Sequence, residues 1–166
     1  MIDWNTIVAL TGVVTAIVAI VALIIEIRQS RVALEVDMVM EFNEKLDSEE
    51  IREFRKVSAE KLLEGKSSYI SELEKLLDFF AIIATLVERK VISLPMAYDQ
   101  FSWWMVRYWV AALPSHIRES RSLDPQSFMR LEKIVEKLMK YERKIDPSVN
   151  FSDEKIREFL QNELNS

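Results

Sequence analysis

Nineteen consecutive residues, Ile7 to Ile25 (IVALTGVVTAIVAIVALII), carry no charge, and only Thr11, Gly12 and Thr15 depart from strongly apolar side chains. A bilayer core about 30 Å thick takes roughly 20 apolar residues at about 1.5 Å rise each. A helix apolar all round has no solvated face to turn to water, so the run predicts a membrane-spanning helix. Asp3 is the only charged side chain before it, whereas Arg28 and Arg31 follow closely, so the Lys/Arg bias places the C-terminal side in the cytoplasm. The expected topology is single-pass in the plasma (inner) membrane, with the N-terminus outside. Trp4 stands where an interfacial anchor belongs. An acidic N-terminal flank and a full-length apolar run argue against a cleaved signal peptide.

Inside the span, Gly12 and Ala16 form a small-xxx-small pair, and Thr11, Thr15 and Ala19 repeat on an adjacent strip. Such strips let two helices approach closely and let threonine hydroxyls bond across. They mark a surface for self-association or for a partner helix, although spans facing only lipid also use these residues.

No breaker follows the span. Val32, Val36 and Val39, with Leu34, Met38, Phe42 and Leu46, keep a helical spacing opposite Asp37, Glu41 and Glu44, so the membrane helix is expected to run on as a juxtamembrane helix. From Trp4 to Leu46 that makes a rod of roughly 65 Å. The expected organisation is a transmembrane anchor over residues 1–28 and a cytosolic helical domain over 29–166, long enough for one core.

The rest of the chain reads as all-α. Asp47 and Glu50 fit a capping box for a helix that Gly65 ends, and Ser71 with Glu74 fits a second, opening a helix to about Arg89. In that helix Leu73, Leu76, Leu77, Phe80 and Ile83 face one way, with Phe79 and Ile82 widening the face. Ser93 and Pro95 start the next, which is expected to stop before Pro114. Its residues Phe101 to Val110 are apolar almost all round and predict the centre of the core. A short turn then holds His116, Arg118 and Arg121. Asp124 and Pro125 suit the start of a helix to about Lys144, Asp146-Pro147 breaks it, and Ser152 caps a last one ending near Leu164. No strand alternation, repeat or low-complexity segment is found. The fold class is therefore an N-terminal transmembrane helix followed by a cytosolic helical bundle.

The run Leu77 to Ser93 (LDFFAIIATLVERKVIS), followed by Tyr108-Trp109, Pro114, Ile117 and Arg121, resembles the uncharacterised prokaryotic family called domain of unknown function 4760. The resemblance implies a short protein with one N-terminal membrane helix and a helical cytosolic domain. It brings no catalytic residues. Lys90 departs from the pattern, standing where the family tends to carry glycine at the helix end.

Composition narrows the chemistry. The absence of cysteine excludes disulfides, thiolate nucleophiles and every Cys-based metal site. The single histidine, His116, has no Glu-x-x-His spacing around it, and a di-iron bundle needs two such motifs. Its plain reading is a surface or capping residue. No Gly-rich phosphate loop, nucleophile elbow or His-Glu-x-x-His motif is present. No catalytic residue, metal ligand or cofactor is assigned, and the chain reads as a non-enzyme.

Two features remain. Arg107 interrupts the most apolar helix, with Trp103 and Trp104 one turn before it. A guanidinium there needs a carboxylate or an aromatic face. The structural reading is an ion pair with Asp78 or Glu88, or stacking on a tryptophan; the functional reading is an anion or partner contact. Arg130, Lys133, Lys137, Lys140 and Lys144 recur at spacings of three and four on one helix face. The stripe reads first as a solvated face balanced by Glu132 and Glu136, and second as a surface for lipid headgroups. Nucleic acid is disfavoured by the net charge of −5.

The expected function is an interaction module on the membrane, self-assembling as a homo-oligomer or serving as a subunit of a larger membrane complex. The alternative is a membrane-tethered sensor or effector, in stress or phage defence, binding a ligand between helices. An unrecognised enzyme comes last.

Overall fold

A computed structural model describes residues 4–65 and 69–165, with side chains described from Val18 onward. All regular structure among these residues is helical: α1 (Trp4–Leu46), α2 (Glu49–Leu63), α3 (Ser71–Glu88), α4 (Leu94–Ala112), a π-helical turn (Leu113–Ile117), α5 (Arg118–Leu123), α6 (Met129–Ile145) and α7 (Asp153–Leu164). The chain forms two compact units, residues 1–37 and 38–166.

In the first unit, Val18, Ile20, Val21, Leu23, Ile24, Ile25, Ile27, Val32, Leu34 and Val36 are all exposed on α1. No helix among the described residues is long and apolar enough to cross a membrane. Of the predicted span, the side chains of residues 7–17 lie outside the described residues, and with them the packing candidates Thr11, Gly12, Thr15 and Ala16.

The second unit is a helical bundle around α3 and α4. Leu73, Leu76, Leu77, Phe80 and Ile83 of α3 meet Phe101, Met105, Val106 and Tyr108 of α4 in one core, which Leu131, Val135 and Leu138 of α6 and Phe159 and Leu160 of α7 complete. α3 presents the apolar stripe read in its sequence, whereas α4, which reads as apolar almost all round, buries one face and leaves Trp103 exposed. The end of α1 joins this core through Val39, Leu46 and Phe42, whose ring lies 5.7 Å from that of Phe79. Asn43 Nδ2 donates to Gln100 Oε1 at 2.8 Å beside them.

Several helix boundaries differ from expectation, each for a local reason. Ser48, not Asp47, caps α2, accepting from the Ile51 amide at 3.4 Å. Ser71 is the first residue of α3 rather than its cap, because the Glu74 amide already closes a helical turn on the Ile70 carbonyl at 3.0 Å, and the Glu74 carboxylate is turned toward His116. Ile82 is exposed while Phe79 is buried, so only one of the two widens the buried face. The helix through α4 does not stop before Pro114. Proline lacks the amide that an α-helical turn needs there, and the chain absorbs this by widening into the π turn before continuing as α5. Asp124 and Pro125 start a turn instead of α6: the Gln126 amide donates to Asp124 Oδ1 at 3.0 Å, and Phe128, left-handed at φ 59°, is the residue from which α6 departs.

Ser93 and Ser152 cap α4 and α7 as expected, accepting from Met96 and Lys155 amides at 3.4 and 3.5 Å. Gly65 ends α2 at φ 68°. Lys90 ends α3 at φ 58° in a Schellman arrangement, with the Lys90 amide donating to Val87 O at 3.0 Å and the Val91 amide to Leu86 O at 2.9 Å.

Candidate functional site

Arg107 is the first candidate, and the bundle supplies both kinds of partner it requires. Its guanidinium lies over the Trp103 ring at 3.6 Å, and Nη2 donates to Glu142 Oε1 on α6 at 3.2 Å. Neither Asp78 nor Glu88 is the partner; Glu88 lies against Arg130 at 3.5 Å instead. Glu142 follows Leu131, Val135 and Leu138 on the buried stripe of α6, and that places its carboxylate inside the bundle. The Arg107 side chain retains only 13% of its exposure. Trp103 is half exposed and forms, with Arg107, Phe151, Phe159 and Lys155, a cleft of about 260 Å³. Three aromatic rings line it, and both of its cations are matched to carboxylates, Arg107 to Glu142 and Lys155 to Glu158 at 2.8 Å.

Trp104 points elsewhere. Its indole donates to Glu163 Oε1 at 3.3 Å, so Arg107, Trp103 and Trp104 do not form one site. Glu163, near the end of α7, gathers a second polar cluster: Arg55 Nε is 3.2 Å from Oε2, and the Tyr108 hydroxyl lies 3.2 Å from the same oxygen while donating to the Arg55 carbonyl at 2.8 Å. Burial, and after it the Glu163 charge, hold the Tyr108 phenol well above its ordinary value. This cluster ties α2, α4 and α7 together. No spacing foretold it, since its members lie more than fifty residues apart in pairs.

His116 is neither a surface nor a capping residue. The π turn aims it inward, where its side chain is 1% exposed and Nε2 lies 2.6 Å from Glu74 Oε2. Glu74 lines two clefts. Tyr69, Glu119 and Asp124 line one of about 300 Å³ with His116, and Asp78, Thr85, Arg130 and Lys133 line one of about 480 Å³ with Glu74. Burial, and then the charge of Glu74 one turn before, push the Asp78 carboxyl above its usual value. No group of His, Asp and Glu among the described residues is arranged to hold a metal ion.

Arg130, Lys133, Lys137, Lys140 and Lys144 are all exposed along α6, opposite its buried stripe.

The residues that carry the resemblance are packing residues in this geometry. Phe80, Tyr108 and Ile117 are fully buried, and Arg121 grips Glu132 at 2.8 and 3.2 Å while its guanidinium lies 5.8 Å from the Trp109 ring. They define an all-helical domain built on a continuous α4, π turn and α5 against α3. The chain belongs to the family Domain of unknown function (DUF4760), whose model matches residues 6–138. Comparison with curated proteins and with solved structures gives no match. The matched region ends within α6, so α7, with its Glu163, lies beyond it.

Proposed function

We propose that the chain is a single-pass membrane protein, N-terminus outside, whose helical domain is a non-enzymatic interaction module. It acts by association, with copies of itself or as an accessory subunit of a larger membrane complex. The observation that supports this is the row of exposed apolar side chains from Val18 to Val36 on α1, continuous with the uncharged run that precedes it. A soluble helix does not leave Ile20, Val21, Leu23, Ile24 and Ile25 all in water, so a lipid or protein surface covers them. Arg28 and Arg31 supply the positive-inside bias.

The experiment is native mass spectrometry of the full chain, extracted gently from its own membrane. A homo-oligomer supports assembly through α1, and fixed stoichiometry with other subunits supports the accessory role. Recovery in the aqueous fraction, without detergent, overturns the reading.

A second reading is a membrane-tethered sensor or effector, in stress or phage defence, that binds a ligand between helices. The cleft beside Trp103 and Arg107 favours it. A bare membrane monomer carrying a small molecule would move the balance to it.

A further inference from the structure

The sequence places Glu132, Glu136 and Glu142 on the same helix as the α6 cations, as if to neutralise them. Two of these acids are engaged elsewhere. Glu132 forms a two-pronged pair with Arg121 at 3.2 and 2.8 Å, and Glu142 is buried against Arg107 at 3.2 Å. Of the stripe itself, only Arg130 has an acidic partner among the described residues, the exposed Glu88 at 3.5 Å. Lys133, Lys137, Lys140 and Lys144 stand exposed with no ion-pair partner among the described residues; the acids near them are Glu136 on the same helix and Asp78 across the cleft that Lys133 lines. A single helix face about 21 Å long at 1.5 Å per residue thus carries a surplus of positive charge.

We infer that this stripe docks on anionic headgroups of the leaflet to which the chain is tethered. The inference rests on the membrane reading above. Each lysine held near an anionic leaflet contributes favourably, and the tether makes the contact intramolecular, so four or five such charges suffice. A straight row on one helix matches a flat sheet of headgroups. It suits a nucleic acid poorly, because the stripe has no exposed aromatic ring on which a base could stack, and Tyr141 of α6 is turned to Tyr98 at 4.9 Å.

The test uses the full chain in nanodiscs of phosphatidylcholine alone or with phosphatidylglycerol. Because the chain has no cysteine, Glu136→Cys carries a single environment-sensitive dye beside the stripe, and Glu53→Cys on α2 serves as a control. The expected result is a blue shift and lipid spin-label quenching at position 136 in anionic discs only, reversed by 0.5 M salt, with position 53 unchanged. The variant Lys133→Gln/Lys137→Gln/Lys140→Gln alters exposed positions only, and at the usual contribution per lysine it lowers affinity for the anionic surface roughly 100-fold. An unchanged dye, or one that responds equally to neutral discs, overturns the inference, and so does a stronger response to a single-stranded oligonucleotide. A chain that stays outside the discs overturns the membrane reading instead. Cosedimentation with phosphatidylglycerol vesicles then decides the stripe alone: binding lost in the triple variant upholds it, and no binding ends it.

Discussion

His116 Nε2 lies 2.6 Å from Glu74 Oε2, and this contact fastens the π turn to the first turn of α3 across 42 residues of sequence. The imidazole is buried, with the Tyr69 ring 5.6 Å away and its Nδ1 unpartnered, so the Glu74 bond carries the polar satisfaction of the ring. Replacing it with alanine removes buried volume and strands a partly buried carboxylate.

The expected loss for His116→Ala is about 2–3 kcal/mol, read as the urea midpoint of the full chain in mild detergent by tryptophan fluorescence. His116→Gln keeps a donor and should lose about half as much. Equal losses in the two variants would show that volume, not the hydrogen bond, holds the turn.

The pair Arg107 and Glu142 tests a different balance. Both side chains are nearly buried, and breaking a buried pair from one side leaves an uncompensated charge. Glu142→Ala is expected to cost about 3–5 kcal/mol, whereas Arg107→Met/Glu142→Leu, which removes both charges and fills the space, recovers most of it. A double variant as unstable as Glu142→Ala would mean that stacking of Arg107 on Trp103 dominates.

These two pairs also mark how far the sequence could be read. Apolar periodicity is local, so the stripe of α3 and the serine caps at 93 and 152 were legible, as was the continuity of α1 to Leu46. That Arg107 needed an acid or an aromatic face was legible too, because a charge inside an apolar helix admits few solutions. Which acid was not: the choice between Asp78, Glu88 and Glu142 depends on how α6 is rotated against α4. His116 was misread for the same reason. Its Glu74 lies on another helix, and the π turn that aims it inward arises where Pro114 withholds an amide from a helix that is otherwise well packed on both sides. The Asp124-Pro125 pair carries the signal of a helix start and of a turn alike, and only the left-handed Phe128 separates them.

Lys90 provides a backbone test. A side-chain-bearing residue at φ 58° is in the left-handed region, where glycine avoids a steric cost. Lys90→Gly should therefore raise stability by about 1 kcal/mol, with the Schellman hydrogen bonds kept. Gly65→Ala should do the reverse by a similar amount. A Cβ at Gly65 meets nothing within 4 Å, so its cost comes from the backbone at φ 68° and not from a clash. If Lys90→Gly destabilises, the lysine stem contributes packing that outweighs the strain.

Tyr108 gives the pH dependence. Burial and the nearby Glu163 hold its phenol above the ordinary value, so the folded chain keeps a proton that the unfolded chain releases near pH 10. A group raised on folding contributes stability that is fully present below the unfolded value and is lost as pH rises beyond it, at about 1.4 kcal/mol per pH unit for one proton. Urea midpoints of the wild-type chain should thus fall steeply between about pH 10 and 11. Tyr98 is raised as well, by burial and then by Glu142, so it contributes part of the same slope. Tyr108→Phe should cost about 1 kcal/mol at pH 7, through loss of the bond to the Arg55 carbonyl, and should flatten the alkaline fall. Near pH 11 the variant should equal or exceed the wild type. Parallel curves for the two chains would mean that Tyr108 ionises freely, and that the cluster joining Arg55, Tyr108 and Glu163 opens to water before the bundle unfolds.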